Sequence, residues 1–215
     1  MSGTHKTFIF DFDGTLADTF GIAVGVFRKF ARKWHKTDDA AIERLRGMTP
    51  GQVFKELKLR WWHVPYIVYQ GRKAVREQMG GIQAFPGTEA MLRALHADGH
   101  HLFIVSTNSN KNIINFLRRN KLEQYFKQTY GGSNLFNKAR TLVKIVEQNN
   151  ATLADCIYIG DEVRDIEAAR KAGMQEVAVT WGYNNRGALE AAGADILIDK
   201  PAELLRLANA KPGRS

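Results

Sequence analysis

Two short acidic stretches hold the most reactive chemistry in this chain of 215 residues. The first is Asp11-Phe12-Asp13-Gly14-Thr15, directly after the apolar run Phe8-Ile9-Phe10. Carboxylates this close repel unless a positive charge sits with them, and a hard dication is the usual partner of clustered carboxylate oxygens. Gly14 allows a tight turn straight after a strand. An Asp-Gly pair is also an ordinary turn signal, but the apolar run before it and the Asp-x-Asp spacing favour a site. The second stretch is Gly160-Asp161-Glu162-Val163-Arg164-Asp165, which follows Cys156-Ile157-Tyr158-Ile159. Asp161 is the first polar residue after that run. Asp165 lies four residues on, one helical turn later, so both carboxylates can face one point. Taken by itself, Asp165 could equally cap the start of a helix.

Two weaker signals accompany them. The run His101-Leu102-Phe103-Ile104-Val105 ends in Ser106-Thr107-Asn108-Ser109. Hydroxyls and amides at a strand-to-helix junction suit a phosphate oxygen, helped by helix N-terminal N–H groups, though the same residue types make ordinary N-caps. Lys138 follows the 131–137 loop and opens a helical pattern. An isolated lysine is usually a surface residue, but beside several carboxylates and a phosphate it would balance charge.

These residues need a scaffold that brings strand ends together. Short runs rich in β-branched and aromatic residues occur at 8–10, 101–106, 156–160, 176–180 and 195–198. Their composition and length predict strands. Helical spacing predicts helices at 88–97, 110–120, 138–148 and 163–172 between them. Such alternation implies a parallel sheet covered on both faces, with ligands gathered at the carboxyl ends of the strands. Residues 16–85 break the alternation and read as helices only, roughly 18–34, 39–46, 50–59 and 65–79. Phe20, Val24, Phe27, Phe30 and Ala31 form an apolar face on the first of these. Gly80-Gly81 and Phe85-Pro86-Gly87 then make a plausible hinge. The expected organisation is core (1–15), helical insert (16–85) and core again (86–215), with a frayed KPGRS tail.

Composition agrees with a globular enzyme-sized fold. Hydrophobic content is 44% and charged content 25%, near the averages for globular domains. No apolar run is long enough for a transmembrane helix, and the N-terminus lacks a secretory pattern. A single cysteine, Cys156, excludes an intramolecular disulfide and fits a reducing, cytoplasmic setting. The net charge of +9 is uneven: residues 16–85 hold 13 Lys/Arg against 6 Asp/Glu. That excess suits an anionic partner, or is simply a solvated basic face.

Taken together, DFDGT, an apolar strand ending in Ser/Thr, an isolated lysine and GDxxxD resemble the haloacid dehalogenase-like hydrolase superfamily, in that order and spacing. The helical insert resembles the subgroup with a small helical cap, which includes phosphoglycolate phosphatase-like enzymes. The resemblance covers essentially the whole chain and implies a Rossmann-like α/β core with helices on both faces and an inserted α-helical cap. It also implies a Mg²⁺-dependent phosphatase acting on a small-molecule phosphate ester. In that reading Asp11 is the nucleophile and Asp13 the general acid, then base. Ser106, or Thr107 one register on, binds the transferring phosphoryl group with Asn108 beside it. Lys138 stabilises nucleophile and phosphate. Asp161 ligates magnesium together with Asp11, the Asp13 carbonyl is a further ligand, and Asp165 supports the set. Because Asp13 is present, dehalogenation ranks low.

Some positions depart from the family pattern. Lys138 is followed by Ala139-Arg140 where many relatives carry Pro-x-Pro. Among Lys33, Lys36, Lys55 and Lys58 there is no convincing match to the Schiff-base lysine of phosphonatases. Arg46, in Arg46-Gly47-Met48-Thr49-Pro50, resembles the cap arginine of phosphomutases but is displaced in register. It is the preferred contact to a second anionic group of the substrate. Phosphonatase and phosphomutase activities on the same scaffold stay open. So does a different class, a nucleic-acid binder using Arg44, Arg46, Lys55, Lys58, Arg60, Trp61 and Trp62, although such a module needs no intact catalytic set.

Overall fold

The computed structural model describes residues 5–31, 38–56, 60–133 and 137–209. Lys33, His35, Lys36, Lys58 and the KPGRS tail lie outside these residues, as do the side chains of Phe27, Phe30, Ala31 and Trp61. Six parallel strands form one sheet: β1 (Thr7–Phe10), β2 (His101–Val105), β3 (Gln128–Tyr130), β4 (Cys156–Gly160), β5 (Gln175–Val179) and β6 (Ile196–Ile198), in the order β3-β2-β1-β4-β5-β6. β1 is therefore central, and the chain passes to one side of it through β2 and to the other through β4. A crevice opens at such a reversal, outside the carboxyl ends of the strands.

Period-two alternation divides the core. Phe8 and Phe10 point to one face of the sheet, where they pack with Leu92 and Leu95 of α5 (Thr88–Ala97) and with Phe116 of α6 (Asn110–Arg119). Ile9 points to the other face, with Leu142 and Ile145 of α7 (Lys138–Gln148) and Ala168 and Ala169 of α8 (Val163–Ala172). Burial on both faces is why these strands read as continuous apolar runs. Each large side chain so buried contributes about 1.5–3 kcal/mol.

Between β1 and α5 the described residues form no extended strand. They build α1 (Phe20–Ala31), α2 (Asp39–Arg46), α3 (Pro50–Glu56) and α4 (Val64–Gln78), with α1 packed on α4. The short helices α9 (Arg186–Ala191) and α10 (Leu204–Asn209) complete the chain. No helix among the described residues is long and apolar enough to cross a membrane.

One buried group makes the core sensitive to pH. Glu176 on β5 pairs in register with Tyr158 and is 2% exposed. Neither carboxylate oxygen has a hydrogen-bond partner. Burial, reinforced by the nearby Asp165, pushes its pKa up to about 8. A folded-state pKa raised this way holds a proton that the unfolded chain releases, so the contribution to stability falls as pH rises from the ordinary carboxylate range to about 8. Glu176→Met, which removes the unpartnered acid at similar volume, is expected to raise the Tm at pH 8 by at least about 3 °C. The gain should shrink toward pH 5. An equal or lower Tm at pH 8 would show that Glu176 has a stabilising partner there.

Candidate active site

Strand register builds the site. Phe10 pairs with Ile104 of β2 and Ile159 of β4, so Asp11, Ser106 and Asp161 leave neighbouring strands at one edge. The Asp11 backbone N–H still donates to the Ile159 carbonyl, at 2.8 Å. Asp11, Ser106, Lys138, Asp161 and Asp165 are all buried.

Asp11, Asp161 and Asp165 converge, with one carboxylate oxygen from each lying within 4.8 Å of the others. Lys138, the first residue of α7, reaches into this group. Its Nζ lies 3.1 Å from Asp11 Oδ1 and 2.6 Å from Asp165 Oδ1. Asp165 Oδ1 also accepts from the Tyr158 hydroxyl at 3.0 Å, and Oδ2 accepts the Glu162 backbone N–H at 3.1 Å. Asp165 thus caps α8, and it also holds Lys138. Burial tends to push Asp165 up, but Lys138 and Arg164 outweigh it and hold the carboxyl below its ordinary range. For Lys138, burial is outweighed by Asp11 and Asp165, which raise its pKa and keep it charged. Asp11 is pushed up by burial, with Lys138 opposing.

Asp161 has a different environment. Thr15 Oγ1 donates to its Oδ1 at 2.7 Å, and the Tyr183 backbone N–H donates to Oδ2 at 2.7 Å. Burial, with Glu162 next, raises its pKa well above the ordinary value. The all-oxygen donor set around it fits a hard dication such as Mg²⁺. The approach is tight: a Cβ on Gly14 would stand 2.2 Å from Asp161 Oδ2, and Gly14 has a φ of +83°. Both facts require glycine there.

Asp13 stands apart from the cluster. Its two oxygens accept from Asn108 Nδ2 at 3.2 and 3.1 Å, and it is not among the three carboxylates that converge. Burial, with Asp11 second, moves its pKa up to about 6. Asn108 is itself held through Oδ1, which accepts from the Ser109 N–H and from Asn112 Nδ2. Ser106 is 1% exposed and its Oγ accepts the Asn108 N–H at 3.0 Å. Thr107 is the more exposed of the pair. The ordinary N-cap of α6 is Ser109.

Arg46 is not brought among the carboxylates by any of its hydrogen bonds. Its guanidinium donates to the Gly182 and Tyr183 carbonyls at 2.8 and 3.3 Å and to Glu43 at 2.9 Å. It also lies over the Phe20 ring, 5.0 Å from the centroid.

The match to the haloacid dehalogenase-like hydrolase model spans residues 8–179 and so contains every carboxylate above. This chain belongs to the haloacid dehalogenase-like hydrolase family. Among its relatives is a phosphoglycolate phosphatase of Synechococcus elongatus, 33% identical over 203 residues, covering 94% of this chain and 96% of that one. A phosphoglycolate phosphatase of Salmonella paratyphi A is 26% identical over 190 residues, covering 86% of this chain and 74% of the relative. In fold, the chain is similar to a haloacid dehalogenase-like family hydrolase from Streptococcus pneumoniae, with a TM-score of 0.77 at 23% identity, covering 94% of this chain and 98% of that one. This hydrolase is a phosphatase.

Several contacts of this phosphatase were not readable from its sequence. Thr15 closes the DFDGT motif, and its bond to Asp161 depends on the fold. Arg164 pairs with Glu162, an i,i+2 contact that no periodicity predicts. Tyr183 and Asn184 sit in a polar loop with no distinguishing pattern.

Proposed function

We propose that this enzyme hydrolyses a small anionic phosphate monoester through a phospho-aspartyl intermediate on Asp11, using Mg²⁺. Phosphoglycolate, the substrate in the names of its relatives, is the leading candidate, with small sugar phosphates behind it. The observation that carries the reading is the division of labour between two carboxylates two residues apart. Asp11 is ion-paired to Lys138 within the acidic cluster, whereas Asp13 faces Asn108 outside it.

In this reading an Asp11 oxygen attacks phosphorus and the bond from phosphorus to the ester oxygen breaks. Asp13 gives its proton to the departing alkoxide, so the alcohol leaves neutral. Asp13 then takes a proton from water, whose oxygen attacks phosphorus. The bond between Asp11 and phosphorus breaks and inorganic phosphate leaves. Splitting one hard displacement into two easier ones is the benefit of a carboxylate nucleophile. Asn108 keeps Asp13 aimed away from Lys138, the Ser106 hydroxyl binds a phosphoryl oxygen, and Lys138 offsets charge on nucleophile and phosphate. Asp11, Asp161 and the Asp13 carbonyl would hold Mg²⁺, which when bound neutralises developing phosphoryl charge. Asp165 acts through Lys138.

Residues 16–85 act as a cap over this edge of the sheet, and their excess of positive charge favours a substrate with an anionic group besides the phosphate. A cytoplasmic setting fits the lone, buried Cys156.

Phosphate release from a panel of phosphate esters, with and without Mg²⁺, tests the reading. The expected result is Mg²⁺-dependent turnover, fastest on short esters that also carry a carboxylate, with slow or no turnover of nucleotides. Absence of Mg²⁺-dependent release from every ester would overturn it.

A further inference from the structure

The segment 180–185, between β5 and α9, touches the carboxylate site on one side and α2 on the other. Toward the site, the Tyr183 N–H donates to Asp161 Oδ2 at 2.7 Å and the Asn184 N–H to the Asp161 carbonyl at 3.2 Å. Asn184 Oδ1 accepts the Val163 N–H, at the first turn of α8, at 3.0 Å. Toward α2, Arg46 donates to the Gly182 and Tyr183 carbonyls. Bonds also run in the reverse direction. Asn184 Nδ2 donates to the Arg46 and Met48 carbonyls at 2.8 and 3.2 Å, and the Asn185 N–H donates to the Arg46 carbonyl at 3.1 Å. Phe20 fills the corner, meeting the Tyr183 ring edge-on at 5.6 Å beneath the Arg46 guanidinium.

Two features make this more than a surface contact. Asn184 is buried, 6% exposed, and both atoms of its amide are used, the oxygen on the α8 side and the nitrogen on the α2 side. The same short peptide that accepts from Arg46 donates to Asp161, and it does so at close range. A Cβ on Gly182 would lie 2.3 Å from Asp161 Oδ2. A shift of α2 that carries this peptide with it would loosen the donor that fixes one oxygen of Asp161.

We propose that Arg46 and Asn184 are positioning residues that latch the helical segment onto Asp161, so that metal binding at Asp161 and seating of α2 reinforce each other. The proposal rests on the reading of Asp161 as a metal ligand. Coupling of this kind is reciprocal: whatever factor α2 seating adds to metal affinity, the metal adds to seating. Residues that orient metal ligands typically change affinity by about 10–100-fold when removed. Arg46 acts through one more peptide, so the expected loss is at the low end.

The test measures Mn²⁺ binding to the substrate-free protein by electron paramagnetic resonance of the free ion, alongside Tm. Asp161→Asn should abolish binding. Arg46→Met and Asn184→Ser should each weaken it about tenfold, with Arg46→Lys recovering part of the loss. Wild-type affinity in folded Arg46→Met or Asn184→Ser would overturn the latch. Equal binding by wild type and Asp161→Asn would instead sink the metal-site reading beneath it. A second measurement needs no variant. On adding Mg²⁺ to wild type, hydrogen exchange should slow in residues 39–47 as well as in 180–185. Slowing confined to 180–185 would overturn the proposal even if neither variant folds.

Discussion

Asp11→Asn is expected to lower phosphate release by at least about a thousandfold, on the scale seen when a covalent nucleophile is removed, while leaving the Tm at or slightly above that of wild type. The first half follows from the reading of Asp11 as the atom that takes the phosphoryl group. Asn has the same shape, but its amide oxygen is a far weaker nucleophile. The second half follows from the site. Asp11 is buried and its charge is already disfavoured by burial, and Lys138 keeps its shorter contact to Asp165 at 2.6 Å. Neutralising Asp11 therefore removes a desolvation cost and leaves the lysine paired. Acid quenching of wild type during turnover with radiolabelled ester should trap label on the protein that base releases, as an acyl phosphate requires. The variant should trap none. Retention of a tenth of wild-type turnover by Asp11→Asn would assign the covalent step, if there is one, to another group.

How much of this was legible beforehand depends on where each residue gets its meaning. β1, β2, β4 and β5 are buried on both faces, so apolar residues dominate their sequences and could be read directly. β3 is three residues, Gln-Thr-Tyr, at the sheet edge and partly exposed. Nothing in its composition separates it from a loop, and it was not expected. Asp11 and Asp161 were visible because each is the first polar residue after an apolar run, and Asp13 and Asp165 because they follow them at short spacing. Their partners were not visible, because partnership is decided by register and loop path. The bond from the Asn108 amide to Asp13 is one such partnership that spacing does not reveal. Arg46 was expected at the substrate on a motif likeness. Its guanidinium donates to the carbonyls of 182 and 183, in a loop that carries no motif. Thr15 gains its meaning only once β1 and β4 lie side by side, and Tyr183 and Asn184 only once β4 and β5 do.

Lys138→Met separates the structural from the chemical part of the site. Met matches the aliphatic length of lysine without its charge, so the change leaves little cavity. It does leave Asp11 and Asp165 buried with their shared counter-ion gone. Removing one partner of a buried pair costs about 3–5 kcal/mol, and two carboxylates depend on this one ammonium, at 3.1 and 2.6 Å. The loss should depend on pH with a definite sign. Asp165 is held below its ordinary value of 3.8 in wild type, so the stability it gains is present above that value and disappears as pH falls through the lowered one. The deficit of Lys138→Met should be full at neutral pH and shrink on acidification, as the orphaned carboxylates take up protons. Adding Asp165→Asn should restore more than half of the lost Tm at neutral pH, because one of the two uncompensated charges is removed while the amide can still meet Tyr158 and the Glu162 N–H. It should restore no turnover, since phosphate and nucleophile still lack the ammonium that offsets their charge. A single variant with wild-type Tm would mean that Arg164 suffices as counter-ion. A double variant that recovers activity with stability would show that Lys138 serves the fold and not the reaction.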